Sequence, residues 1–348
     1  MRKPSPTGVP SGAIAAEATY GEGHHCTLYS MTISCGGIAR KVLATLVAAT
    51  GVSLISGVQG AVADTPDTCR HHTAVSVTCN VWSGSMQREI PVVVKPAVSP
   101  GNDRVIQFLD GVHGGDGWSS RAMDYVADDD ATIVFPSADS RSFWVDWDST
   151  APNGKELKYE TFLTRELPAY LETEFDVPNG GRERTGVVGL SMGAYSAVNL
   201  ASKHPGMYRS VLALSGFYNN QMLAGRLAVD GTAITHGEDN AGVPWDSERS
   251  RMQDNPWINV DNLTMPVHMA VATGIPDVRS DYDLGTTVAG AGIEIGSLGA
   301  TAAWDLWTRL NGKDNVTITY TPVGIHAYDT WINAAFKDQK LYWRFADF

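Results

Sequence analysis

The stretch Thr185-Gly186-Val187-Val188-Gly189-Leu190-Ser191-Met192-Gly193 decides how the rest of this chain is read. An apolar, β-branched run leads into Gly-Leu-Ser-Met-Gly. A helix-like run, Ala194-Tyr195-Ser196-Ala197-Val198-Asn199-Leu200-Ala201, follows at once. This is the G-x-S-x-G pattern in the setting that gives it meaning, strand then sharp turn then helix. Glycines two residues either side of the serine let strand and helix approach without Cβ clashes. Ser191 is therefore the candidate nucleophile, and the backbone N–H of Met192 a candidate donor to a developing oxyanion. A chance match to so short a pattern is the competing reading, and the remainder of the chain decides between them.

A serine nucleophile needs a base, an orienting acid and a second oxyanion donor, and in this type of fold the chain order is Ser, then Asp or Glu, then His. Of nine histidines, only His326 lies beyond the last strand candidate, on Pro322-Val323-Gly324-Ile325-His326, where such a base belongs. His204 ends the helix after the elbow, and His268 falls inside a strand. Asp277 follows the strand candidate Val267–Ala272 closely and is the generic choice of acid, with Glu294, Asp281, Asp283 and Asp305 also available. The run Ile106–Leu109 enters a Gly-rich loop, Asp110-Gly111-Val112-His113-Gly114-Gly115, so the N–H of Val112 is the candidate second donor.

Working outward, β-branched runs alternate with amphipathic ones. Ile90–Val94, Arg104–Leu109, Thr132–Phe135, Thr185–Gly189, Ser210–Ser215, Val267–Ala272 and Val316–Thr321 read as strands. Glu160–Phe175, Ala194–Lys203, Gly299–Leu310 and Thr330–Lys340 read as helices. That alternation predicts an α/β fold of the α/β-hydrolase kind, a mostly parallel central sheet flanked by helices, with an irregular insertion around 216–262.

The chain has 348 residues, 43% hydrophobic and 18% charged, with a formal net charge of −12. This is enough for one large core, and the acidic balance argues against nucleic acid or an anionic lipid surface as an electrostatic partner. Residues 1–30 read as an unstructured extension or sequence upstream of the true start. Residues 31–63 read as a signal peptide: Arg40-Lys41, an apolar run from Val42 to about Gly60, and Ala61-Val62-Ala63 before a cut near Ala63. A single membrane anchor is the alternative, diluted by Gly51, Ser53, Ser56 and Gly57. Residues 64–348 are then one catalytic domain delivered to the secreted or cell-envelope compartment. There, Cys69 and Cys79 are expected to form a structural disulfide, with Thr73–Thr78 between them reading as a strand. No metal-ligand spacing and no phosphate loop is found, so neither a metal nor another cofactor is expected.

Five segments in order, Leu109-Asp110-Gly111, Phe143-Trp144-Val145-Asp146-Trp147, Glu160-Thr161-Phe162-Leu163-Thr164-Arg165-Glu166-Leu167-Pro168, Gly189-Leu190-Ser191-Met192 and Leu214-Ser215-Gly216-Phe217, give the chain a family likeness. From about Ser83 to the C-terminus it resembles the secreted mycolyltransferases of the antigen 85 type. The resemblance implies an acyltransferase that passes a mycolyl group from trehalose esters to trehalose or arabinogalactan hydroxyls through a serine acyl-enzyme. It implies Glu294, 32 residues before His326, in place of Asp277 as the acid. It also implies sugar contacts at Asp110 and at the surrounding rim: His113, Trp147, Tyr328 and Trp331.

Two departures lie on that rim. His113 stands where the family has arginine, and Ala327-Tyr328 where it has Ser-Trp. Trp118, Phe143, Trp144, Trp147 and Phe217 are candidates to line a sugar or acyl surface, or else to pack in the core. An esterase-D-type carboxylesterase and a catalytically idle envelope-binding protein are the rival functions.

Overall fold

The computed structural model describes residues 66–235 and 242–348. The expected N-terminal extension, signal peptide and cleavage site lie outside the described residues.

Among the described residues, nine strands form one sheet in the order β1-β2-β3-β5-β4-β6-β7-β8-β9. They are β1 Cys69–His71, β2 Val77–Ser83, β3 Arg88–Lys95, β4 Val105–Leu109, β5 Thr132–Pro136, β6 Thr185–Leu190, β7 Tyr208–Leu214, β8 Val267–Ala272 and β9 Val316–Thr321. The first three pair antiparallel, and β3 meets β5 antiparallel. From β5 through β4 to β9 every pairing is parallel. All seven strands read from the sequence are present. Thr73–Thr78 is corrected: a turn occupies its first half, and β2 starts only at Val77.

Period-two alternation divides the core between the two faces. Val187, Val211 and Ala213 point into one cluster, and Val188, Leu212 and Leu214 into the other. The first cluster is closed by α2 (Tyr159–Thr161), α3 (Leu167–Glu174) and α4 (Met192–Lys203), the second by α1 (Ser119–Val126), α8 (Tyr328–Ile332) and α9 (Leu341–Phe345). Between α2 and α3 the chain makes a π-helical turn, Phe162–Glu166. Pro168 offers no N–H to the carbonyl of Thr164, and the wider turn absorbs the missing bond. The Glu160–Pro168 motif is thus structural: Glu160 takes His204 Nε2 at 2.8 Å and Lys203, while Glu166 takes Ser83 Oγ at 2.6 Å.

The insertion is less irregular than expected. It contains α5 (Leu223–Thr235) and α6 (Glu248–Gln253). The helix expected from Gly299 begins much earlier, since α7 runs Leu284–Leu310, capped by Asp283, whose side chain accepts from Thr286 N–H. At 1.5 Å per residue it is about 40 Å long.

Gly290, Glu294, Ser297, Thr301, Trp304 and Thr308 of α7 are buried, at steps of four and three, and so form its inner seam. That seam is largely polar. On the other side, Leu284, Val288, Ile295, Leu306 and Leu310 are exposed and follow the same spacing, so the helix turns an apolar stripe outward. Weak apolar contrast between its two faces hid its first half from a periodicity reading. Among the described residues, no helix is long and apolar enough to cross a membrane.

Cys69 and Cys79 face each other across the β1–β2 pair and are joined as a disulfide.

Candidate active site

Parallel register assembles the site. Leu109 of β4 lies opposite Gly189 of β6, and Leu190 opposite Leu214 of β7. Asp110, Ser191 and Ser215, each the first residue past its strand, therefore stand together at the C-terminal crest of the sheet, where open α/β sheets carry their sites. Ser191 N–H is bonded to Leu214 O at 2.9 Å and Ser215 N–H to Ala270 O at 2.8 Å, which ties the ends of three strands.

Ser191 has φ 58° and ψ −114°, an unfavourable conformation for a non-glycine residue, at a cost of about 1–3 kcal/mol. Its glycines explain how it is held. A Cβ on Gly189 would fall 2.0 Å from Gly193 O, and one on Gly193 would fall 2.1 Å from Leu109 O. Only bare backbone lets β6, α4 and β4 meet this closely. Met192 begins α4, and its N–H belongs to the first turn, where backbone donors have no intrahelical acceptor.

The second candidate donor is aimed by a turn. Gly111 O accepts Gly114 N–H at 3.0 Å, and Val112 O accepts Arg141 N–H at 2.8 Å and Ser140 Oγ at 3.0 Å. Because the peptide is planar and trans, pinning Gly111 C=O into the turn sends the N–H of Val112 the opposite way. Gly111 lies against the elbow, with its Cβ position 3.6 Å from Ser191 Cβ.

His326 sits on the loop after β9. That loop is clamped by Gly324 N–H to Ile275 O at 2.6 Å, Gly274 N–H to Gly324 O at 3.0 Å and His326 N–H to Gly290 O at 3.0 Å. The imidazole Nδ1 is 3.0 Å from Glu294 Oε2. Glu294, on the inner seam of α7, is 0% exposed, and its Oε1 accepts Ala272 N–H at 2.8 Å where β8 ends. Asp277 is occupied elsewhere. Arg279 donates to it and also bridges to Asp338, and the hydrogen bond from Arg279 holds the Asp277 carboxyl below its ordinary range. Glu294, not Asp277, is the carboxylate beside His326.

A further group stands with them: Ser215 Oγ donates to Glu294 Oε2 at 2.6 Å and lies 2.8 Å from His326 Nδ1. Ser215 belongs to the Leu214-Ser215-Gly216-Phe217 segment, to which the sequence assigns no role. The readable signal was a serine directly after a parallel strand, adjacent to a glycine.

The expected sugar rim is arranged differently. Trp147 is 2% exposed, with its Nε1 donated to Ser142 O at 3.0 Å, and Trp331 is 0% exposed. Both are core residues. Trp118, Phe143 and Trp144 are buried too, Trp118 and Trp144 donating to Leu109 O and Asp110 O, while Phe217 is half-buried against Gly296. His113 is exposed.

Asp110 is 3% exposed, and Tyr328 donates to its Oδ1 while Trp118 N–H reaches Oδ2 at 3.3 Å. Burial raises the Asp110 carboxyl to about 6 against those bonds. Tyr328 is itself raised, by burial and by the Asp110 charge. Its ring lies under Arg121 at 4.5 Å and edge-on to Trp118. The position expected to take sugar hydroxyls is filled by the protein's own phenol.

Residues 83–340 match the Esterase family model ("Putative esterase"), and the chain belongs to that family of α/β-hydrolase-type enzymes. Among curated proteins it is similar to the diacylglycerol acyltransferase/mycolyltransferase Ag85A of Mycobacterium leprae (strain TN), 25% identical over 310 residues, covering 85% of this chain and 91% of that one. It is 30% identical over 240 residues to Ag85A of Mycobacterium bovis (strain BCG / Pasteur 1173P2), covering 65% and 68%. In fold it is similar to the crystal structure of Mycobacterium tuberculosis MPT51 (FbpC1), with a TM-score of 0.62 over 74% of this chain and 94% of that one, at 21% identity. The chain is an enzyme of the esterase and acyltransferase type.

Proposed function

We propose that this protein is a secreted, cell-envelope acyltransferase that moves a long-chain, mycolyl-type acyl group from a trehalose ester to a sugar hydroxyl, by way of an acyl-enzyme on Ser191. The observation that supports the reading is at Ser215, which adjoins Ser191 at the ends of β7 and β6 and contacts both Glu294 and His326.

Glu294 is acceptor-only and Ser215 commits its single proton to Glu294, so the neutral imidazole keeps its own proton on Nδ1. The Nε2 lone pair is left for the Ser191 hydroxyl. Ser191 Oγ attacks the ester carbonyl as Nε2 takes its proton, the N–H groups of Val112 and Met192 receive the oxyanion, and the sugar departs with that proton. In the second half, an acceptor hydroxyl gives its proton to Nε2 and attacks the acyl-serine, and Nε2 passes that proton to Ser191 Oγ as the new ester departs. The similarity to the diacylglycerol acyltransferase/mycolyltransferase Ag85A supports a donor with a long alkyl chain.

A second reading is hydrolysis, with water as acceptor. The bond from Tyr328 to Asp110 favours it, because that bond fills the place a sugar was expected to take. Incubation with a trehalose monoester and labelled trehalose separates the two. Labelled diester by mass supports transfer, free acid alone supports the esterase, and a Ser191→Ala control assigns either product to this site.

A further inference from the structure

We infer that Ser215 is a positioning residue of this reaction, fixing both the Glu294 carboxylate and the His326 ring; the inference rests on the reading of Ser191, Glu294 and His326 as a catalytic set. Three observations converge. Ser215 is 0% exposed, and its hydroxyl is within 2.6 Å of Glu294 Oε2 and 2.8 Å of His326 Nδ1, closing a triangle whose third side is the 3.0 Å carboxylate–imidazole contact. At that corner a side chain must donate to a carboxylate and accept from a ring N–H at once, and a hydroxyl does both. Its donated bond holds the Glu294 rotamer, and its lone pair shares the Nδ1 proton, so the ring is held in the plane that leaves Nε2 free.

The backbone gives the second reason. Ser215 has φ 57°, the left-handed region where glycine sits without strain. Two such residues, Ser191 and Ser215, stand side by side at the ends of β6 and β7. A glycine at 215 would relieve the conformation and keep the Ser215 N–H to Ala270 O bond. What it would lose is the hydroxyl. Strain retained for one functional group is the pattern of a functional position. A purely structural serine would be valued for satisfying Glu294, and its loss would then appear in stability.

The test is Ser215→Gly and Ser215→Ala in the full chain, with Ser191→Ala alongside. Release from a long-chain p-nitrophenyl ester is measured from pH 5 to 9, together with thermal melting. For Ser215→Gly we expect a melting temperature within a few degrees of that of the unaltered protein, the relieved backbone offsetting much of the lost bond to Glu294, and kcat lower by about 10- to 100-fold with KM changed less than threefold. The pH profile of kcat/KM should also be displaced. Ser215→Ala should show the same kinetic loss.

Turnover within twofold of the unaltered protein with an unmoved pH profile would overturn the proposal. So would a loss of activity that only follows a loss of folded protein. If Ser191→Ala itself remains active, it is the reading of the whole site that fails; if only the Ser215 variants are normal, the triad stands and Ser215 is not part of it.

Discussion

The hydroxyl of Tyr328 is bonded to the carboxylate of Asp110, 218 residues away in the chain. Tyr328 lies two residues past His326, and Asp110 immediately precedes Gly111 and Val112, so this single bond ties the loop carrying the base to the loop carrying an oxyanion donor. Space for it is provided by Gly117, whose Cβ position lies 2.1 Å from the phenol oxygen.

Tyr328→Phe should cost about 1–3 kcal/mol of stability, because Asp110 is left buried with one partner fewer. If Asp110 takes a sugar hydroxyl during turnover, the same change should lower the KM for a trehalose acceptor severalfold. Urea melts and acceptor-dependent initial rates check the two halves separately.

Asp110 also makes stability depend on pH in a definite direction. Its carboxyl, ordinarily 3.8, is raised to about 6 by burial, so the native state holds a proton through a range where the unfolded chain has lost it. Its contribution is greatest below the ordinary value and falls as pH rises to about 6, by about 3 kcal/mol in all at 1.36 kcal/mol per unit. Asp110→Asn removes this dependence. The stability of Asp110→Asn relative to the unaltered protein should therefore rise by up to about 3 kcal/mol between pH 4 and pH 7, measured by denaturant titration.

The acid of the triad is tested by a pair of isosteric changes. Glu294→Gln should reduce kcat by about 10³- to 10⁴-fold, since an amide at this position favours the wrong tautomer of His326. Asp277→Asn, which disturbs only the cluster with Arg279 and Asp338, should leave turnover within about threefold. Steady-state kinetics on one ester substrate checks both.

Reduction of the Cys69–Cys79 bridge, which spans 10 residues, should lower stability by about 2–3 kcal/mol. The bridge joins β1 to β2 at the edge of the sheet remote from β6, so activity toward a small ester should be unchanged well below the melting transition. Melting curves with and without reductant, and rates at room temperature, check this.

Much of this architecture is legible in the sequence because it rests on local signals. The β-branched runs gave all seven strands from β3 to β9, and Gly189 marks the elbow because its steric reason, the carbonyl of Gly193, lies within the same motif. Pairings across the fold are less legible. Nothing near Ser215 announces that its hydroxyl meets Glu294 and His326, and nothing near Asp110 announces a tyrosine from the far end of the chain. Tryptophans illustrate the same limit. An aromatic beside a motif is equally suited to sugar stacking and to packing, and only burial assigns Trp147 and Trp331 to the interior. The long α7 escaped a periodicity reading in its first half because its inner seam is polar and its outer stripe apolar.

Whether the acyl group rides on Ser191 is tested most directly by intact-protein and peptide mass spectrometry after brief exposure to a trehalose monoester. A mass increase equal to the acyl chain, on the peptide containing Ser191, is expected in the unaltered protein and should be absent in Ser191→Ala. Acyl transfer that persists in Ser191→Ala, or an adduct that maps to another residue, would contradict it.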